Sequence, residues 1–178
     1  MSNNPELMKY EKKSHRIKAK MYEIGSVDVH WHDFYEIELV LSGEGTHLIN
    51  NTEYEWCCGE IHFLKLTDFH KINLKDRGLV HLIQIPSNNV PDDVVKMVSA
   101  IPNNIIAYLS KEDFAYVNAL CKLLERKAES SDAYNESIVN KTLSLIVDII
   151  INSMKMTNSN VIDVENIENR MATIIMYM

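Results

Sequence analysis

The sequence predicts a mainly β domain, a sandwich or barrel of short strands, followed by a run of helices. Three observations carry that prediction. Between Ile17 and Pro86 the hydrophobic residues come in short, roughly alternating runs separated by turn residues. After Pro86 the spacing changes to the steps of three and four that make one face of a helix. The 178 residues are 46% hydrophobic and 24% charged, enough for one domain with a core of its own.

Strands are predicted at 17–24, 37–41, 46–49, 53–56, 61–66 and 79–85. Between them lie the turn signals Ser42-Gly43, Asn50-Asn51, Cys58-Gly59 and Arg77-Gly78. Closely spaced short strands of this kind close into sandwiches or barrels. Pro91 opens a short helix with Val94, Val98 and Ile101 on one side. Ser110 with Asp113 three residues on is a capping-box-like start for a helix carrying Phe114, Val117, Cys121, Leu124 and Ala128 as one stripe.

A longer helix is predicted over 133–154. Its apolar residues Ile138, Val139, Leu143, Leu145, Ile146, Val147, Ile149, Ile150 and Ile151 cover more than half its circumference. A small barrel covers one side of such a helix, so the other side calls for a partner. The helices at 110–155 are therefore read as a homodimer interface, with burial inside one chain as the alternative. A last helix begins near Asp163 with Ile167, Met171, Ile174, Ile175 and Met178 on one side, and lacks a C-cap.

The bulk charge excludes some functions. A net charge of -7 leaves no basic face with which to displace counterions from duplex DNA, so direct DNA contact is not expected of this segment. Cys57, Cys58 and Cys121 match neither a disulfide framework nor a CxxC zinc site. Residues 1–10 are polar and do not resemble a secretion signal. The apolar run 143–151 falls short of the roughly 20 residues that span a bilayer. A cytoplasmic chain with no membrane partner is expected.

The densest group of potential ligands is His30-Trp31-His32 with Glu36, joined further on by His70. Residues two apart on a strand point to the same face, so His30 and His32 face together and Trp31 faces away. Glu36 is an even step further along. Three imidazoles and a carboxylate suit a divalent transition metal such as Zn, Ni, Mn or Fe. A metal-free polar interior that binds an organic ligand or water is the open alternative.

Gly25, His30, His32, Glu36 and Gly43 resemble the first cupin motif, with the gap before His30 one residue short. Gly59 to His70 is similar to the second motif in spacing, although Lys65 and Thr67 stand where it has proline and glycine. The resemblance implies a double-stranded β-helix, or jelly roll, with His30, His32, Glu36 and His70 inside. The wording of residues 30–43, then Cys58-Gly59-Glu60-Ile61, resembles the N-terminal domain of AraC-type transcription regulators. Residues 171–178 resemble the segment that leads into the paired helix-turn-helix of that family.

The implied plan is an N-terminal arm (1–16), a cupin sensor barrel (17–89), a helical dimerisation region (90–160) and the start of a linker helix (161–178). DNA would be held through a helix-turn-helix domain absent from these residues. The implied effector is a small molecule, sugars being a common cue in such regulators, and the implied role is not enzymatic. A metal-dependent cupin enzyme of dioxygenase or isomerase type is the alternative. Ligand contacts are expected from His30, His32, Glu36, Glu38, Trp56 and His70. Tyr54, His47, His62 and His81 are read mainly as structural. The basic N-terminal residues, among them Lys9, Lys12, Lys13 and Arg16, suit a solvated arm or one that folds over the barrel.

Overall fold

The computed structural model describes residues 9–11, 16–129 and 132–159; the helix expected beyond Asp163 and the expected linker segment lie outside them. Among the described residues, ten strands form two five-stranded sheets. The strands are β1 (Lys9–Glu11), β2 (Lys18–Ile24), β3 (Val27–His32), β4 (Phe34–Ser42), β5 (Gly45–Ile49), β6 (Thr52–Trp56), β7 (Glu60–Leu64), β8 (Phe69–Leu74), β9 (Gly78–Pro86) and β10 (Ile105–Tyr108). One sheet has the order β1-β3-β8-β5-β6 and the other β10-β7-β4-β9-β2. Apart from the β1–β3 pair, neighbouring strands run antiparallel. This is the jelly-roll architecture expected.

Local chemistry explains the turns. Asn50 and Asn51 both have positive φ (48° and 66°), the conformation of a two-residue turn whose twist matches an antiparallel hairpin. Gly59 supplies φ 94° before β7, where a side chain would be strained. Four strands have no counterpart among the expected elements: β1, in the N-terminal arm, β3 and β8, which carry the histidines, and β10, which arises within the helical stretch. The N-terminal arm contributes β1, which lies parallel along β3 with Lys9 opposite His30 and Glu11 opposite His32.

Three helices follow: α1 (Asp92–Ser99), α2 (Lys111–Lys127) and α3 (Ala133–Ser159). The expected cap of α2 is made, the Asp113 N–H donating to Ser110 Oγ at 3.1 Å. Val117, Cys121 and Leu124 are its buried stripe. The largest apolar core lies outside the jelly roll, between the second sheet and the helices. It joins Ile37, Leu39, Ile61, Phe63, Ile83 and Ile85 to Val94, Val98, Val117, Cys121, Leu124, Leu143, Ile146 and Ile150.

The burial of α3 refines the expectation drawn from its composition. Val139, Leu143, Ile146, Val147 and Ile150 are all buried within this one chain, against β10, α2 and α1. On the opposite side Leu145 is 48% exposed. Over Ala133–Met154 the helix is long and apolar enough to cross a membrane by length and composition, although no unbroken apolar run suggests it. Its buried stripe, and the Lys141 and Asp148 on its outer side, are those of a core helix.

This asymmetry is testable. Ile146→Ala leaves a cavity in a site with no solvent access and is expected to cost about 2–5 kcal/mol. Leu145→Ala should stay within about 0.5 kcal/mol in the monomer. Urea unfolding of the two variants measures both.

Candidate functional site

The alternation of β4 places Glu36 and Glu38 between the two sheets and Ile37 and Leu39 beneath the helices. The neighbouring strands supply what the carboxylates meet. Glu36 lies opposite Gln84 on β9, and Gln84 Nε2 donates to Glu36 Oε2 at 3.3 Å. Glu38 lies opposite His62 on β7. From the facing sheet come His30 and His32 on β3, His70 on β8 and His47 on β5, with His30 directly opposite His70. All five imidazoles are buried, whereas Trp31 faces out at 36% exposure, as strand alternation requires.

Two groups of ligand atoms result. In the first, His32, Glu36 and His70 each bring one atom within 4.8 Å of the others. His32 Nε2 is 3.7 Å from Glu36 Oε1, and the His30 ring lies 4.0 Å from that of His70. His30 Nδ1 is 2.9 Å from the Asp28 carbonyl, and His32 Nδ1 is 2.7 Å from the Phe34 carbonyl. A carbonyl only accepts, so each Nδ1 carries the hydrogen and each neutral ring keeps its lone pair on Nε2. His70 Nε2 is buried without a hydrogen-bond partner. These donors fit the metal that the cupin motif implies.

The second group, Glu38, His47 and His62, meets the same distance criterion. His47 Nε2 and His70 Nδ1, 2.9 Å apart, link the two groups. Burial and the neighbouring His62, His70 and His30 hold His47 well below the ordinary histidine range. Burial, with His30, His32 and His62, pushes His70 down to about 2. Burial also opposes the charge on His62, but the carboxylates of Glu38 and Glu60 outweigh it and raise His62 to about 9. Without a metal, His62 is therefore protonated at neutral pH beside neutral His47 and His70.

Of the expected ligand residues, His30, His32, Glu36, Glu38 and His70 converge between the sheets. Trp56 is also inside, with its ring 5.7 Å from those of His47 and His62. It is fully buried, so it is not a stacking platform at an open mouth. His47 and His62 belong to the interior more closely than their isolated positions in the sequence suggest. His81 does not: it lies on the outer face of β9, its Nε2–H donating to Asn118 Oδ1 on α2 at 3.0 Å. Burial pushes the Cys57 thiol up to about 12, with Glu60 and Glu55 adding to the effect, so it is no reactive thiolate.

The comparisons fall on these same strands. Residues 17–84 match the model of the AraC-like ligand binding domain. The HTH-type transcriptional activator RhaS of Mannheimia succiniciproducens is 25% identical over 122 residues, covering 66% of this chain and 46% of that protein. RhaS of Pectobacterium carotovorum is 44% identical over 41 residues, covering 23% of this chain and 15% of the relative. This chain thus spans about half the length of the first of these relatives. Among solved structures, ToxT from Vibrio cholerae aligns with a TM-score of 0.49 at 12% identity, covering 78% of this chain and 57% of that one. The AraC-like match contains every residue of both donor groups, from His30 to His70.

His81 gives this domain a pH dependence that can be isolated. Burial holds its pKa below the ordinary 6.5, against the pull of Asn118. The unfolded chain then takes up a proton that the folded chain resists, so stability present above about pH 6.5 is lost as pH falls. His81→Gln keeps a donor for Asn118 but does not titrate. Its melting temperature should fall less than that of the wild type between pH 7 and pH 5, as followed by circular dichroism.

Proposed function

We propose that this chain is the effector-sensing and dimerisation part of an AraC-type transcription regulator, with the space between the sheets as its sensing chamber. One observation carries the reading. The AraC-like ligand-binding match spans the strands that bring His30, His32, Glu36 and His70 together. The negative charge argues that DNA is held by a helix-turn-helix segment outside these residues, and the names of the relatives support that division. The role is sensory rather than catalytic, and it places the protein in the cytoplasm.

In this reading His30, His32, Glu36 and His70 would hold a divalent transition metal, which would supply a charged anchor for an oxygen-bearing effector such as a sugar. The residues themselves do the positioning. The Asp28 and Phe34 carbonyls fix the ring orientations of His30 and His32, and Gln84 orients Glu36. A change in the pose of His30 or His32 reaches the arm through the β1–β3 pairing. Effector binding shifts such an equilibrium only to the extent that it favours one arrangement over the other. The second copy docks on the outer side of α3 around Leu145, since Ile146 and Ile150 are already used within the chain.

Two measurements test this. A thermal-shift screen of the purified chain against divalent cations and sugars should find a stabiliser, worth about 2.7 kcal/mol at one hundred times its Kd. The shift given by a sugar should vanish in the His32→Ala/Glu36→Gln double variant; a sugar shift that survives there removes the His30, His32, Glu36 and His70 group from the reading. Light scattering should give twice the monomer mass for the wild type and the monomer mass for Leu145→Asp. A wild-type chain that is monomeric at every concentration refutes the dimer.

A further inference from the structure

The second group of donors has a geometry of its own. His47 Nδ1 lies 3.4 Å from Glu38 Oε2, His62 Nδ1 lies 3.3 Å from the same oxygen, and the two nitrogens are 3.4 Å apart. This is a nearly equilateral triangle. A charge-assisted N–H···O bond would draw its atoms to about 2.7–2.9 Å. None of these contacts is that short, and Glu38 Oε2 accepts no well-formed hydrogen bond. The three atoms are instead spaced as around a common centre. Ligands about 2.0–2.1 Å from a tetrahedral zinc stand about 3.3–3.4 Å apart, which is the edge length found here.

We infer that Glu38, His47 and His62 form a second metal site, one face of a tetrahedron suited to zinc or another divalent cation of the same preference. It is distinct from the His30, His32, Glu36 and His70 group, and it stands on geometry alone, whether or not the chain is a sensor. All three side chains are at least nine-tenths buried. A polar group stands behind the far nitrogen of each ring, hydrogen-bonded to it only at His47. His62 Nε2 faces Glu60 Oε2 at 3.6 Å, and His47 Nε2 bonds His70 Nδ1 at 2.9 Å. A carboxylate or ring acceptor behind a ligating imidazole fixes the tautomer that presents the lone pair to the metal.

The His47–His70 bond makes the two sites compete. A neutral imidazole carries one hydrogen. A cation on His47 Nδ1 leaves that hydrogen on Nε2, where it is donated to His70 Nδ1. His70 then carries its own hydrogen on Nε2, the atom that faces the first group, and loses its lone pair there. A cation held by His70 Nε2 forces the opposite tautomers and places the His47 hydrogen on Nδ1. One chain is therefore expected to bind one zinc tightly and a second at least about tenfold more weakly.

Cobalt(II) is the direct probe, because a tetrahedral site lacks an inversion centre and gives an intense visible absorption. Chelator-stripped protein titrated with cobalt should develop that band, and the His32→Ala/Glu36→Gln variant should keep it. Adding Glu38→Gln or His62→Asn to that variant should abolish the band and weaken zinc binding by more than about tenfold. A wild type without the band, a band lost with His32 and Glu36, or one kept when Glu38→Gln is added to the double variant overturns the site. Nitrogen-15 NMR of the wild-type histidine rings with zinc needs no variant that folds. Coordination through Nδ1 at His47 and His62 is expected, and a spectrum with Nε2 coordination only, or none, overturns the site.

Discussion

Strand β4 is flanked by β7 and β9 and has neither face in water. Glu36 and Glu38 point between the sheets, and Ile37 and Leu39 lie under the helices. A slip of one residue would exchange the two sets, driving carboxylates into an aliphatic core and aliphatic chains among imidazoles. An uncompensated buried charge costs several kcal/mol, so the register is held from both sides at once. The adjacent strands inherit it. Glu36 meets Gln84 and Glu38 meets His62 only in this alignment.

The fold separates stability from chemistry. Most of the large buried side chains belong to the core between the second sheet and α1, α2 and α3. Between the sheets the apolar cluster is a small plug of Val40, Trp56, Ile72 and Val80, with Ile49 and Leu64 buried beside the polar groups. The helices thus supply burial that a sheet filled with histidines cannot, and the interior is left to polar groups that would otherwise be a liability. His81 ties the two regions together, from the back of β9 to Asn118 on α2.

Much of this was legible in the sequence, and what was not has a physical cause. Strands with aliphatic residues on their inward or outward positions, such as 37–41 and 79–85, announce themselves by alternation. The strands β3 and β8 put His30, His32 and His70 where an apolar residue would normally mark the inward face, so the pattern hides the strands that matter most to the site. The first donor group was visible because two of its members are two apart on one strand and match a motif. The second was not. Glu38, His47 and His62 come from three different strands, and only the pairing of β4 with β7 and of β5 with β8 brings them together. The extent of burial on α3 also needed coordinates, because β10 covers a face that composition alone left bare.

β10 itself joins what the sequence seemed to keep apart. It pairs along β7, with Ile106 opposite His62, and continues through Leu109 and Ser110 straight into α2. Two short bonds clamp that passage, from the Leu109 N–H to the Gly59 carbonyl at 2.9 Å and from the Tyr108 hydroxyl to the Cys58 carbonyl at 3.0 Å. The strand that carries an inward histidine and the first turn of a long helix are thus one continuous, hydrogen-bonded piece. A displacement of His62 along its strand would be delivered as a push on the foot of α2, with no loop in between to absorb it.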